Sequence, residues 1–253
     1  MKLNQESIKN AAVWTDKGYT LPSYDREAMI ARTKAKPNWI HFGAGNIFRA
    51  FPAAVLQQCI EAGKADRGVI VAEGFDYDII SKAYKPFDDL SVLVVLKSDG
   101  SIEKRVIGSV AESIAADFTD DAALARLTAI FEDPGLQMVS FTITEKGYAV
   151  HNSDGSVTGL VARDFASESF NCAHLMGKIT ALLYKRYLAG AYPIAMTSMD
   201  NCSHNGDKLR EGVFCFAEHW VGSGLWEKGF PMALCPPLHT CLRTTAFMWA
   251  SLT

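Results

Sequence analysis

Apolar residues along this chain fall into short continuous runs, separated by stretches with helical period. The first strong run, Trp39 to Phe42, meets Gly43 and Gly45 and passes straight into a helical pattern. Phe51, Val55, Leu56, Cys59 and Ile60 then repeat at the spacing of one helix face, which predicts a helix over 47–62 closed by Gly63. Residues 68–73 form a second run, continuously apolar as buried parallel strands are. Two β runs, 91–96 and 101–107, flank Asp99-Gly100 and predict a hairpin. Residues 120–131 put Leu124, Leu127, Ile130 and Phe131 on one face behind an acidic start that suits the helix dipole. Further strands are predicted over 137–144 and 192–198, helices over 166–188 and 207–221, and a turn at Asn152 to Gly155.

Residues 1–37 read as an N-terminal extension that packs outside the sheet. It holds a short helix over 5–14, an extended stretch before Pro22 and a helical turn over 24–33 that Pro37 stops. From residue 38 to 230, strands and helices alternate. That order predicts an α/β fold, a Rossmann-type, doubly wound, mostly parallel sheet with an inserted β-hairpin.

Composition narrows the function classes. With 253 residues, 49% hydrophobic and 21% charged, the chain can bury a real core. A net charge of −3 gives no electrostatic reason to expect nucleic acid. The six cysteines include no Cys-x-x-Cys pair and no zinc-ligand spacing, so buried thiols in a reducing compartment are expected. The start has no apolar signal region, and no apolar run reaches membrane-spanning length. A soluble cytoplasmic protein without a membrane partner is the expectation; its oligomeric state is not legible.

Three polar clusters sit where strands are predicted to end: Gly43 to Arg49, Glu145 to Tyr148, and Asp200 to Gly206. Parallel sheets gather ligands at such ends. In the first cluster Gly43 supplies turn geometry, and Gly45 lets a pyrophosphate approach without meeting a Cβ. The helix start behind them offers unpaired N–H groups to phosphate. The usual third glycine is replaced in the neighbourhood of Phe48 and Arg49. Glu73 and Asp76, after the second strand, compete for the ribose hydroxyls; position alone leaves a surface-charge role equally open. In the third cluster His204 reads either as an acid/base group or as a residue closing a turn, and Cys202 as a small buried residue. A methyltransferase with a similar sheet would share the glycine turn and the acid after strand two.

These residues resemble a known family. Gly43-Ala44-Gly45-Asn46-Ile47-Phe48-Arg49-Ala50 is similar to the G-x-G-x-F-H-R-A signature of the mannitol dehydrogenase family, with departures around Asn46-Ile47 and at the His before the Arg. Residues 142–148 resemble its T-x-T-E-x-G-Y segment, and residues 198–206 its S-C-D-N-x-x-H-N-G segment. The family comprises NAD-dependent polyol and hexuronate dehydrogenases. The resemblance implies that Gly43 and Gly45 cradle the pyrophosphate of NAD, with Asn46, Phe48 and Arg49 on the same cofactor-binding turn. It places Asp76 at the ribose, with Glu73 competing. Among catalytic residues, it implies that Asn201 holds the substrate oxygen and that Glu145 influences proton movement beside it. The substrate would be a sugar acid or polyol. A catalytically incomplete dinucleotide-binding module remains the alternative, because the family's K-x-x-x-x-N-x-x-H motif and helical second domain are not in this sequence. Residues 231–253, with Arg243 as their one charge, read unlike the family. The expectation is a truncated or frame-shifted product whose atypical tail packs poorly.

Overall fold

The computed structural model describes residues 2–167 and 169–230, with the side chain of Ser169 left aside; the predicted atypical tail lies outside the described residues. The chain divides into two compact units after Ala115.

The first unit opens with α1 (Gln5–Lys9), α2 (Ala11–Thr15), β1 (Tyr19–Thr20) and α3 (Arg26–Ala35). β2 (Trp39–Phe42), α4 (Asn46–Ala50), α5 (Pro52–Glu61) and β3 (Val69–Glu73) follow. β4 (Ser91–Leu96), β5 (Ile102–Ile107) and β6 (Val110–Ala115) complete it. β3 pairs in parallel with both β2 and β6. Ile40, Phe42, Val69, Ile70, Val71 and Ala72 are fully buried, as strands covered on both faces require. β4 and β5 form the predicted antiparallel hairpin, in unbroken register from Ser91↔Ile107 to Leu96↔Ile102.

Three expectations for this unit need correction. The N-terminal extension does not stay outside sheet structure: β1 pairs in parallel with β5, and Trp14 packs beside Leu90 and Val106 in a small core. Buried Arg26 anchors it further by donating to the carbonyls of Gly108, Asp88 and Val110. The long helix predicted over 47–62 is two helices. Pro52 has no N–H to donate and starts a new helix at its first position, where that lack is harmless. The break also splits the predicted stripe. Phe51 and Val55 are each 53% exposed, while Ala53, Ala54, Gln57 and Ile60 face inward. Finally, β6 went unpredicted: Val110 and Ile114 are buried, but Ala111 and Ser113 share the buried positions and Glu112 lies between them, so neither an apolar run nor an alternation stands out.

The second unit contains α6 (Asp121–Glu132), β7 (Met138–Phe141), α7 (Thr144–Tyr148), α8 (Gly159–Phe165), α9 (Leu175–Gly190), β8 (Ala195–Ser198) and α10 (Asn205–Gly222). β7 and β8 pair in parallel. The Asp120 carboxylate caps α6 by accepting from the N–H groups of Ala122 and Ala123. The helix predicted from 166 begins instead at Leu175. Buried Asp164 accepts from the N–H groups of Ala173 and His174 at 2.9 and 2.6 Å, fixing the backbone ahead of the helix. The His174 ring then caps it by accepting from Met176. The strand predicted over 137–144 stops at Phe141; the backbone has left the extended region by Ile143, at ψ 3°, and Thr144 takes a left-handed φ of +65°. Arg186 on α9 donates all its guanidinium N–H groups to backbone carbonyls, those of Phe131, Asp133, Leu136, Tyr192 and Pro193.

Candidate functional site

In the first unit, the turn after β2 is assembled from its own backbone. Gly43 sits at φ +110°, a conformation that L side chains rarely adopt, and its N–H donates to Ala72 across the ladder. Gly45 is different. It takes φ −72° as the residue ahead of α4, and a Cβ placed on it would meet nothing within 4 Å. Neither backbone strain nor packing calls for glycine there. No side chain caps α4, so Asn46 and its neighbours leave the first N–H groups of the helix uncapped. Phe48 is buried beneath the turn, its ring stacked at 4.3 Å on the buried His41 imidazole. Burial pushes the His41 pKa down to about 3, with a smaller opposing effect from a Gly43 backbone hydrogen bond, so the ring is neutral. The Arg49 guanidinium hydrogen-bonds Asn46 Oδ1 at 2.5 Å and lies 5.6 Å above the Tyr84 ring. Asn46 and Arg49 also line a cleft of about 400 Å³ with Lys82, Phe87 and Val92.

Glu73 and Asp76 are separated by what they do. Glu73 Oε2 accepts from Ala44 N–H in the turn at 2.8 Å, and Oε1 accepts from Phe75 and Asp76 N–H at 3.0 and 3.4 Å. That carboxylate is a tie between the turn and the loop after β3. Asp76 stands exposed beyond it. Tyr84, missed as a site residue in the sequence, donates its hydroxyl to the Ala44 carbonyl at 2.8 Å and braces the turn from the other side.

In the second unit the two remaining clusters come together. Asp200, at the end of β8, accepts from Ile143 N–H at 2.9 Å, Thr144 N–H at 3.1 Å and the Tyr148 hydroxyl at 2.6 Å. Tyr148 also bonds Ser198 at 2.8 Å. Burial, then the nearby Asp200 charge, holds the Tyr148 phenol well above its ordinary pKa. These bonds hold Thr144 in its strained conformation and present Glu145 on the next residue. Glu145 forms an ion pair with Lys208 on the first turn of α10, and that hydrogen bond raises the Lys208 pKa. Asn201 is exposed on the loop before α10 and makes no side-chain hydrogen bond among the described residues. Asn205 donates to the Asp200 carbonyl at 2.8 Å, closing that loop. His204 is exposed and contacts Asp207, which fits a turn-closing role. Asp200 and Tyr148 carried no role in the sequence reading; they lie 52 residues apart, and only the fold brings them together.

Residues 37–223 match the model of the mannitol dehydrogenase Rossmann domain. The chain belongs to the mannitol dehydrogenase family. The Rossmann-type, doubly wound class expected from the sequence is therefore the fold of this domain, and the hairpin is its insertion. Among similar proteins is a D-mannonate oxidoreductase from Thermotoga maritima, 46% identical over 91% of this chain and 42% of the relative. A polyol:NADP oxidoreductase from Gluconobacter oxydans is 29% identical over 78% of this chain and 39% of its own length. The solved mannitol 2-dehydrogenase of Pseudomonas fluorescens, a ternary complex with NAD and D-mannitol, superposes with a TM-score of 0.70 at 25% identity, covering 88% of this chain and 43% of that one. The chain thus spans under half the length of these relatives. No helix among the described residues is long and apolar enough to cross a membrane.

Proposed function

We propose that this chain is the cofactor-binding part of a NAD-dependent oxidoreductase. Its reaction would move a hydride between nicotinamide and a secondary alcohol or ketone of a sugar acid or polyol, with D-mannonate and D-fructuronate favoured by the 46% identical relative. The observation that carries the reading is Gly45, a glycine that its own fold does not require. A Cβ at that position would fill space left open outside the chain, ahead of uncapped helix N–H groups. This is what a pyrophosphate needs. The residues present therefore fit the dinucleotide.

Gly43 shapes the turn, and Gly45, Asn46 and Arg49 would face the phosphates. Phe48 supports the turn from below. Asp76 would take the ribose hydroxyls, since Glu73 is already committed to three backbone N–H groups. The bound nicotinamide would supply the hydride acceptor or donor. Asn201 would hold the substrate oxygen, where an amide N–H stabilises developing negative charge without itself titrating. Glu145, paired with Lys208, would influence the proton's path. A cytoplasmic location fits such metabolic chemistry.

NADH fluorescence titration of the full chain tests the reading. Gly45→Ala should weaken NADH binding at least tenfold while changing stability by under about 1 kcal/mol, as its backbone is ordinary for alanine. Equal affinity in the two proteins would sink the assignment. Adding a keto-uronate or ketose and following NADH absorbance separates a working enzyme from a binding module.

A further inference from the structure

Phe75 is the most exposed large hydrophobic residue among those described, at 94%. Nothing in its own unit packs over the ring, so packing does not explain an aromatic residue here. Its placement does. Phe75 follows the last strand residue of β3 by two positions and directly precedes Asp76. Its backbone is fixed even though its side chain is not covered. Phe75 N–H donates to one oxygen of Glu73, while the other oxygen accepts from Ala44 N–H in the glycine turn. A single carboxylate therefore sets the spacing between the turn and the aromatic ring. The loop continues as a tight turn, with Ile79 N–H donating to Asp76 O and Ile80 N–H to Tyr77 O.

We infer that Phe75 is the stacking wall for a purine base, the adenine of the dinucleotide whose phosphates lie at Gly43 to Arg49. The inference rests on the dinucleotide reading above and adds the residue that recognises the base. An exposed ring beside a carboxylate suits an adenosine: the π-face takes the base, and the adjacent acid takes the ribose hydroxyls. Base–aromatic stacking is sequence-tolerant and strong enough to matter, about 1–3 kcal/mol per base on truncation to alanine, or roughly five- to 150-fold in affinity.

The test uses the full 253-residue chain and three probes: NADH, ADP-ribose and nicotinamide mononucleotide. Phe75→Ala should weaken NADH and ADP-ribose by at least fivefold and leave nicotinamide mononucleotide unchanged. Phe75→Trp should restore binding, and the melting temperature of all three proteins should agree, since the ring is uncovered. Unchanged ADP-ribose affinity in Phe75→Ala would overturn the inference while leaving the dinucleotide reading intact. Loss of all three probes together would also overturn it, because the effect would then lie in the turn. Failure of the unmodified chain to bind either NADH or ADP-ribose would overturn the dinucleotide reading itself, and this inference with it.

Discussion

Arg186→Ala should unfold the second unit at markedly lower denaturant. Arg186 is 2% exposed, and its five hydrogen bonds run from 2.7 to 2.9 Å. They converge on two connections, the one after α6 and the one between α9 and β8, and so set where β7 and β8 begin. Burial lowers the Arg186 pKa, a sign that its desolvation offsets part of what the bonds contribute. At about 1 kcal/mol net for each bond, less roughly one or two regained on removing a buried charge, the loss is about 3–4 kcal/mol. For a protein of this size that corresponds to a fall of roughly 6–16 °C in Tm. Urea titration followed by tryptophan fluorescence should read it, because Trp220 and Trp226 both lie buried in the same unit. Arg186→Lys keeps the charge with fewer donors in the wrong geometry and should recover less than half the loss. A change under 1 kcal/mol in Arg186→Ala, or full recovery by lysine, would refute the argument that five directed bonds hold these connections.

Two further outcomes follow from the turn. His41 is neutral when folded, with a pKa near 3 against an ordinary 6.5, so the unfolded chain binds the extra proton. Stability should therefore hold above pH 6.5 and decline as pH falls below it, by about 2 kcal/mol between pH 7 and pH 5 from this group. His41→Asn should flatten that slope in urea titrations, and an unchanged slope would locate the proton elsewhere. Glu73→Gln replaces an acceptor of three N–H bonds with an amide that must turn a donor towards one of them. A loss of about 1–3 kcal/mol is expected, and hydrogen exchange at Ala44 and Phe75 should quicken, whereas unaltered exchange would contradict the tie.

Much of this was legible along the chain, for reasons that differ by element. β2 and the hairpin were readable because buried strands and an Asp-Gly turn are determined by neighbours in sequence. Gly43 and the acidic start of α6 were readable for the same reason, though that Asp120 caps the helix came only with the structure. β6 was hidden because Ala111, Glu112 and Ser113 separate its two large buried residues, Val110 and Ile114, and break the hydrophobic signal until β3 lies alongside. The true start of α9 depends on Asp164, nine and ten residues away from the N–H groups it holds. Motif spacing made Glu145 and Asn201 candidates, but the Lys208 partner of Glu145 and the Asp200 clamp require the fold. The period through Phe51, Val55 and Ile60 marked a helix, but a stripe does not say which of its residues will be covered: Ile60 is buried while Phe51 and Val55 are exposed.

β4 has a consequence for the chain as a substance. It is the outermost strand of its sheet among the described residues, and five of its six residues are valine or leucine. Val92, Val94 and Leu96 are 40%, 51% and 76% exposed. Sheets normally guard such a margin with proline, a bulge or a lysine pointing inward; this strand runs straight until Lys97. Two molecules meeting along it could zip together through main-chain bonds without unfolding at all. The expected consequence is self-association that grows with concentration while the fold stays intact, which light scattering across a dilution series would read.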